Sequence, residues 1–142
     1  MRALLDINVL LALLDRDHIL HEPGRQWFER EVQHGWASCA VTQNGFIRLL
    51  SQPGYPSPVT TARAMQLLAT ATAAAHHEYW RSEVSILDET VFDHSRIHGP
   101  RQLTDVYLLG LAAHHGGRLA TFDRTIALAA VRTAGPHNLV VL

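Results

Sequence analysis

Short apolar runs recur along this chain, and amphipathic stretches separate them. Arg2–Leu5 is an apolar run that stops at Asp6, the pattern of a short buried strand, and Val9–Leu14 reads as the start of a helix that packs back on it. Trp27, Phe28 and Val32 fall at helical spacing within His21–Gln33, with Pro23 near the start and Gly35 as the stop. Trp36–Ala40 predicts a strand, and Thr42 predicts the cap of a helix through Leu50 with Phe46, Leu49 and Leu50 inward. Pro53, Gly54, Pro56 and Pro58 mark a loop. The alanine-rich stretch Thr60–His77, carrying Met65, Leu67 and Leu68, predicts a helix. Val84–Leu87 predicts a short strand, Glu89–His94 a helical turn, and His98-Gly99-Pro100 a break. Thr104–His115 is a strong helical pattern closed by Gly116-Gly117; a strand at Arg118–Phe122, a helix at Arg124–Ala130 and a strand at Leu139–Leu142 complete the chain.

Strands alternating with helices predict an α/β fold with a mostly parallel sheet covered on both faces. With no internal repeat, linker or low-complexity segment, residues 1–142 are expected to form a single domain, long enough to bury a core without staples. Composition agrees: 47% hydrophobic against 18% charged residues belongs to a folded chain. A net charge of −1 excludes a global pull toward nucleic acid or a membrane surface, so any nucleic-acid function needs a local basic patch. Cys39 is the only cysteine, which excludes a disulfide framework and a cysteine-built zinc site. The N-terminus loosely mimics a signal peptide, but Asp6 and Asn8 interrupt its apolar stretch and no small-residue cleavage site follows. No segment is apolar for long enough to predict a membrane span. A cytoplasmic protein is expected.

The chemistry begins with Asp6, which stands inside the aliphatic run "ALLDINVLLALLD". A carboxylate buried there without a partner costs several kcal/mol or more, so it neutralises, pairs or binds a cation. Two other aspartates occupy similar places. Asp105 opens a helix behind Thr104, where it could simply favour the helix dipole, and Asp123 follows a strand, where it could cap the next helix. In a parallel sheet the C-terminal strand ends share one edge, where ligand sites form, and all three aspartates are expected there. Three carboxylates gathered without a cation repel one another, a conflict that a hard, oxygen-loving ion such as Mg2+ or Mn2+ resolves. Such ions commonly work on phosphates.

The segments "LLDINVLLALL", "VTQNGFIRLL", "GPRQLTDVYLLGLA" and "LATFDR" together resemble the successive motifs of PIN-domain ribonucleases, in particular the VapC-type toxins of bacterial toxin–antitoxin pairs. The resemblance runs in order from Leu4 to about Arg124. It implies a three-layer α/β/α sandwich and an endoribonuclease toxin that depends on Mg2+ or Mn2+. It further implies a homodimer and an inhibitory VapB-type antitoxin. By the same resemblance Asp6 and Asp105 match the principal metal-binding aspartates, Asp123 the further acid, and Thr121 the hydroxyl residue beside it. Asn8 matches a polar position that could orient Asp6. One position departs: Gln43 stands where the family usually carries glutamate, keeping a carbonyl acceptor but no negative charge. That departure motivates an alternative, a catalytically weakened PIN domain that binds RNA or protein. An aspartate-nucleophile phosphatase is a poorer fit, because position 8 is not acidic and the chain has no lysine.

The remaining candidates are weaker. The pairs His76-His77 and His114-His115 read as structural, because neighbours in sequence do not share a helix face. His18 and His21 lack a third ligand. Arg101, just before Thr104 and Asp105, is a candidate contact to an RNA phosphate, as are Arg48 and Arg124 more weakly. Trp27, Phe28, Trp36 and Phe46 read as core or interface residues before base-stacking ones. An apolar surface around the first two helices is a place where an antitoxin could bind. The nature of the RNA, whether transfer or ribosomal, is not legible.

Overall fold

In the computed structural model, which describes all 142 residues, Ala3–Leu5 forms a fully buried strand, β1, at the centre of a five-stranded sheet. The others are β2 (Trp36–Cys39), β3 (His77–Trp80), β4 (Arg118–Thr121) and β5 (Leu139–Val141). Their order is β3-β2-β1-β4-β5, and every pairing is parallel. Five helices connect or flank them: α1 (Ile7–Leu14), α2 (His21–Glu31), α3 (Ala40–Ser51), α4 (Thr61–Thr72) and α5 (Leu103–His114).

Alternation along the strands divides the core into two layers, because successive side chains leave a strand on opposite faces. Ala3, Leu5, Trp36 and Ala120 meet Leu10, Trp27, Phe46 and Leu68 from α1 to α4 on one face. On the other, Leu4, Ala37, Cys39 and Leu119 meet α5 through Val106, Leu109 and Leu111, together with Phe92 and Val131 from irregular chain. The expected α/β/α sandwich is therefore the architecture. Close packing sets residue size within it. A Cβ on Gly110 of α5 would clash with the buried Phe92 ring, and one on Gly45 of α3 would clash with Ile7.

The strand order contains the feature that places the site. From β1 the chain steps outward through α1 and α2 to β2, then through α3 and α4 to β3. It returns through α5 to β4, on the other side of β1. The direction of winding thus reverses between β1 and β4, which opens a crevice at their C-terminal ends.

Several expected elements differ. The helix expected over Thr60–His77 stops at Thr72 with Thr60 as its cap, and His77–Trp80 is instead the edge strand β3. Helix propensity favours continuing through the alanines, but pairing with the whole of β2 outweighs it. Val84–Leu87 forms no strand: Val84 and Ile86 reach the α5 core from irregular chain, so the apolar density there reports burial rather than pairing. Glu89–His94 holds turns and a single antiparallel bridge, Phe92 to Val131. The helix expected at Arg124–Ala130 is reduced to a 3-10 turn at Leu128–Ala130. Two helix starts also shift. Thr42 lies inside α3, where its hydroxyl accepts from the Cys39 N–H at 3.0 Å, and α5 begins at Leu103 after a 3-10 turn at Pro100–Gln102.

Candidate functional site

Asp6 follows β1 directly and is only 4% exposed. Its backbone N–H donates to the Ala120 carbonyl of β4 at 3.0 Å, which continues the sheet by one more bond. One carboxylate oxygen, Oδ1, accepts from the Ile7 N–H at 2.7 Å and caps α1. The other, Oδ2, accepts from the Thr121 hydroxyl at 2.6 Å. Burial raises the pKa of Asp6, the Thr121 hydroxyl and the Ile7 N–H oppose that rise, and the nearby Asp123 charge adds to it.

Thr121 ends β4, and its hydroxyl is the hub of this edge. While donating to Asp6, it accepts from Asn8 Nδ2 at 3.2 Å and from the Asp123 N–H at 3.0 Å. One donor and two acceptor positions are all that a hydroxyl offers, so this one is fully used. Asn8, on the first turn of α1, closes the arrangement by accepting from the Phe122 N–H through Oδ1 at 3.2 Å. Asn8 therefore supports Asp6 through Thr121, adds to the hydrogen bonding that opposes the rise of its pKa, and ties α1 to the end of β4.

Asp123 follows β4. Its Oδ1 accepts from both the N–H and the hydroxyl of Thr125 at 2.7 Å, and those bonds hold its pKa below the ordinary carboxylate value. Thr125 was not singled out in the sequence, although its signal is readable. Asp88 with Thr90 and Asp93 with Ser95 form the same local turn two residues apart.

Asp105 lies in the first turn of α5, on the return connection to β4. Half-buried, its carboxyl is pushed up to about 6, by desolvation first and then by the charges of Asp6 and Asp123. Asp105 and Asp123 are close enough to share a hydrogen bond once Asp105 carries a proton. None of the three aspartates forms an ion pair with an arginine or histidine. Nor do they close into a ready-made cage of three metal ligands. What the fold assembles is a set of hard oxygen donors, crowded by like charge and without a cationic partner. That donor set fits a hard divalent ion such as Mg2+, which keeps several waters and asks for only one or two carboxylates.

Arg101 joins this group. It lines a cavity of about 200 Å3 with Gln102, Asp105, Asp123 and Thr125, and its guanidinium side chain is exposed. Gln43 does not. Its Nε2 donates to Ser38 Oγ at 2.9 Å, and that hydroxyl pairs in turn with His77 Nε2 at 2.9 Å. His77 lies against the Trp36 ring, and burial lowers its pKa. Gln43 is thus held by a polar chain between β2 and β3, and no hydrogen bond links it to an aspartate of the group. Neither Ser38 nor His77 announced this chain in the sequence, because it depends on the β2–β3 register.

The other candidates have structural places. Trp27 and Phe46 are buried, and Phe28 meets Trp36 edge to face at 6.0 Å. His115 stacks on Trp80, His21 Nδ1 contacts the Ala12 carbonyl at 2.7 Å, and His18 Nδ1 accepts from the Leu20 N–H at 3.0 Å. Arg48 and Arg124 are exposed. No helix is long and apolar enough to cross a membrane.

Comparison with known proteins gives the family. The family model of the PIN domain matches residues 3–132. Ribonuclease VapC44 of Mycobacterium tuberculosis is 58% identical over 142 residues, covering both chains completely. Ribonuclease VapC38 of the same organism is 39% identical over 142 residues, 99% of each chain, and Ribonuclease VapC39 is 38% identical over 128 residues, 89% of this chain and 92% of its own. Among solved structures, VapBC2 from Rickettsia felis, bound to a DNA fragment from their promoter, matches with a TM-score of 0.65 at 10% identity. That match covers 100% of this chain and 99% of the other, and at such identity it speaks for the fold alone. With a parallel sheet that reverses at β1 and β4, acids gathered at that reversal, and full-length relatives of one kind, the chain belongs to the PIN-domain family, among its VapC-type ribonucleases.

Proposed function

We propose that this protein is a toxin of a toxin–antitoxin pair that hydrolyses RNA phosphodiester bonds endonucleolytically, with Mg2+ or Mn2+ held by Asp6, Asp105 and Asp123. The observation that carries the reading is the gathering of three carboxylates, without a cationic partner, at the sheet reversal of a VapC-type chain. When bound, the ion supplies charge neutralisation at the phosphate and acidifies water for attack.

The chain's own residues supply the rest. Thr121 and the Ile7 N–H fix both oxygens of Asp6, so that carboxylate stays in place through the reaction. Asp105 lines the cavity that Arg101 also lines and would hold the ion there with Asp6 and Asp123, the ion's charge keeping its carboxylate ionised. Arg101, on the rim of the same cavity, meets the RNA phosphate. Attack by water on phosphorus, with departure of the 3′ oxygen, leaves 5′-phosphate and 3′-hydroxyl ends.

We further infer a VapB-type antitoxin, a homodimer and a cytoplasmic setting. The antitoxin is supported by the chain's place among the VapC-type ribonucleases, with 58% identity to Ribonuclease VapC44 over the full length. An apolar groove of about 540 Å3, walled by Leu10, Leu13 and Leu14 of α1, Phe28 of α2, Val32 and Trp36, is the surface we assign to it.

A second reading has its own support. Gln43 is engaged with Ser38 and adds no charge to the acidic group, as expected of a weakened PIN domain that binds RNA without cutting it. One assay separates the two. Purified protein, freed of antitoxin, is incubated with structured RNA and Mg2+ or Mn2+ beside Asp6→Ala and Asp105→Ala. The nuclease reading expects wild-type cleavage and a loss of roughly a hundredfold or more in each variant. Cleavage that survives both substitutions would sink it, and binding without cleavage would favour the second reading.

A further inference from the structure

The start of α5, with the 3-10 turn before it, separates two hollows. Arg101, Gln102 and Asp105 face the acidic one. Leu103, Thr104 and Tyr107 turn to the other side, where with Val41 at the start of α3 and Ile86 they line a second, open hollow of about 260 Å3. Four of its five lining residues are hydrophobic, and Leu103 is 41% exposed at its edge. Tyr107 is half-buried, with one face of its ring stacked on the buried Phe92 at 6.3 Å and 21°. The ring therefore has an aromatic neighbour behind it.

We propose that this hollow receives one unpaired base of the RNA, next to the bond that is cut, and that Tyr107 and Leu103 make cleavage selective for the base at that position. The inference rests on the ribonuclease reading above and adds a base site to its phosphate site. Three observations favour a base over a protein segment. The hollow is about half the size of the apolar groove by α1 and α2, and its walls are only three residues of α5, one of α3 and one of the intervening chain. It adjoins the acidic cavity through consecutive residues, Leu103 and Thr104 on one side and Asp105 on the other, so a strand whose phosphate lies by Arg101 brings a neighbouring base to it. An aromatic ring backed by a second ring, beside aliphatic side chains, is a surface on which a splayed base stacks. Thr104 and Tyr107 each bring a hydroxyl to the lining that the edge of a base can meet.

The test maps cut sites on single-stranded RNA of randomised sequence with Mn2+, comparing wild type, Tyr107→Phe, Tyr107→Leu and Leu103→Ala. Wild type and Tyr107→Phe share a base preference at one position beside the cut. Tyr107→Leu flattens that preference and raises KM roughly tenfold while kcat changes little. Leu103→Ala, at an exposed position, shifts both in the same direction and serves if Tyr107→Leu does not fold. Unchanged preference and KM in folded Tyr107→Leu or in Leu103→Ala overturn the proposal. A second arm is independent of cleavage: thiouridine-containing RNA is photocrosslinked to the Asp6→Ala protein and the adducts are mapped by mass spectrometry. Adducts at Leu103, Thr104 or Tyr107 support the base site even if wild-type protein proves unable to cut, whereas adducts confined to other surfaces overturn it even if the nuclease reading stands.

Discussion

The Thr121 hydroxyl donates to Asp6 Oδ2 at 2.6 Å across 115 positions of sequence, joining the ends of β1 and β4 at the point where the sheet reverses. The same oxygen accepts from Asn8 and from the Asp123 N–H, so one side chain sets the positions of two of the three acids and of the residue that ties α1 to β4.

Replacing Thr121 by valine keeps the shape and strands three polar groups. We expect Thr121→Val to lose about 1–3 kcal/mol in denaturant unfolding, the usual cost of buried groups left unpaired, and to lower RNA cleavage. Thr121→Ser, which keeps the hydroxyl, should retain most of both. Equal stability of the valine variant and wild type would show that the hub carries no weight.

Asp105 makes the stability of the metal-free protein depend on pH in an unusual direction. Its folded-state pKa of about 6 lies above the unfolded value, so the folded state binds the proton more tightly. The favourable contribution is complete below about pH 4 and is lost as pH rises through about 6. In chelator, the thermal midpoint of wild type relative to Asp105→Asn should therefore fall between pH 4.5 and 7. Glu22, Asp88 and Asp93, whose pKa values are lowered and which do not act on Asp105, slope the other way at more acid pH and cancel in the comparison with the variant. Asp6, itself raised, slopes with Asp105, and the lowered Asp123 slopes against it. Added Mg2+ should flatten the difference by neutralising the group. Parallel midpoint curves for the two proteins without metal would contradict the assignment.

At position 43 a carboxylate cannot donate to Ser38 as the Gln43 amide does. Gln43→Glu releases the side chain from Ser38 unless the serine hydroxyl turns to it. We expect tighter Mn2+ binding by calorimetry and faster cleavage. An affinity equal to that of wild type would show that a carboxylate at position 43 stays beside Ser38 and His77, where Gln43 lies, and does not reach the acidic group.

Much of this protein could be read in one dimension because the physics concerned is local. Asp6 interrupts an aliphatic run, and only a cap, a partner or a cation keeps a carboxylate there; the structure gives it a cap and a partner in Ile7 and Thr121. The periodicity of Thr104–His115, which the structure realises as Leu103–His114, and the apolar run Arg2–Leu5, realised as Ala3–Leu5, are legible for the same reason. β3 was not, since His77–Trp80 has no strand pattern of its own and exists because β2 offers it an edge. Nor were Val84 and Ile86, whose apolar character serves the core under α5 without any backbone pairing.

By itself, then, the sequence determined the alternation of strands and helices, the identity of the acids and the kinship of the chain, all carried by residue type and short spacing. Only the tertiary structure decided that Asp6 shares its proton partner with Asn8 and Asp123, that Arg101 faces the acids, and that Gln43 turns to Ser38 instead. Those relations depend on which strand ends lie side by side and on which hydrogen-bonding groups burial leaves without water, and both are settled only when distant segments pack together.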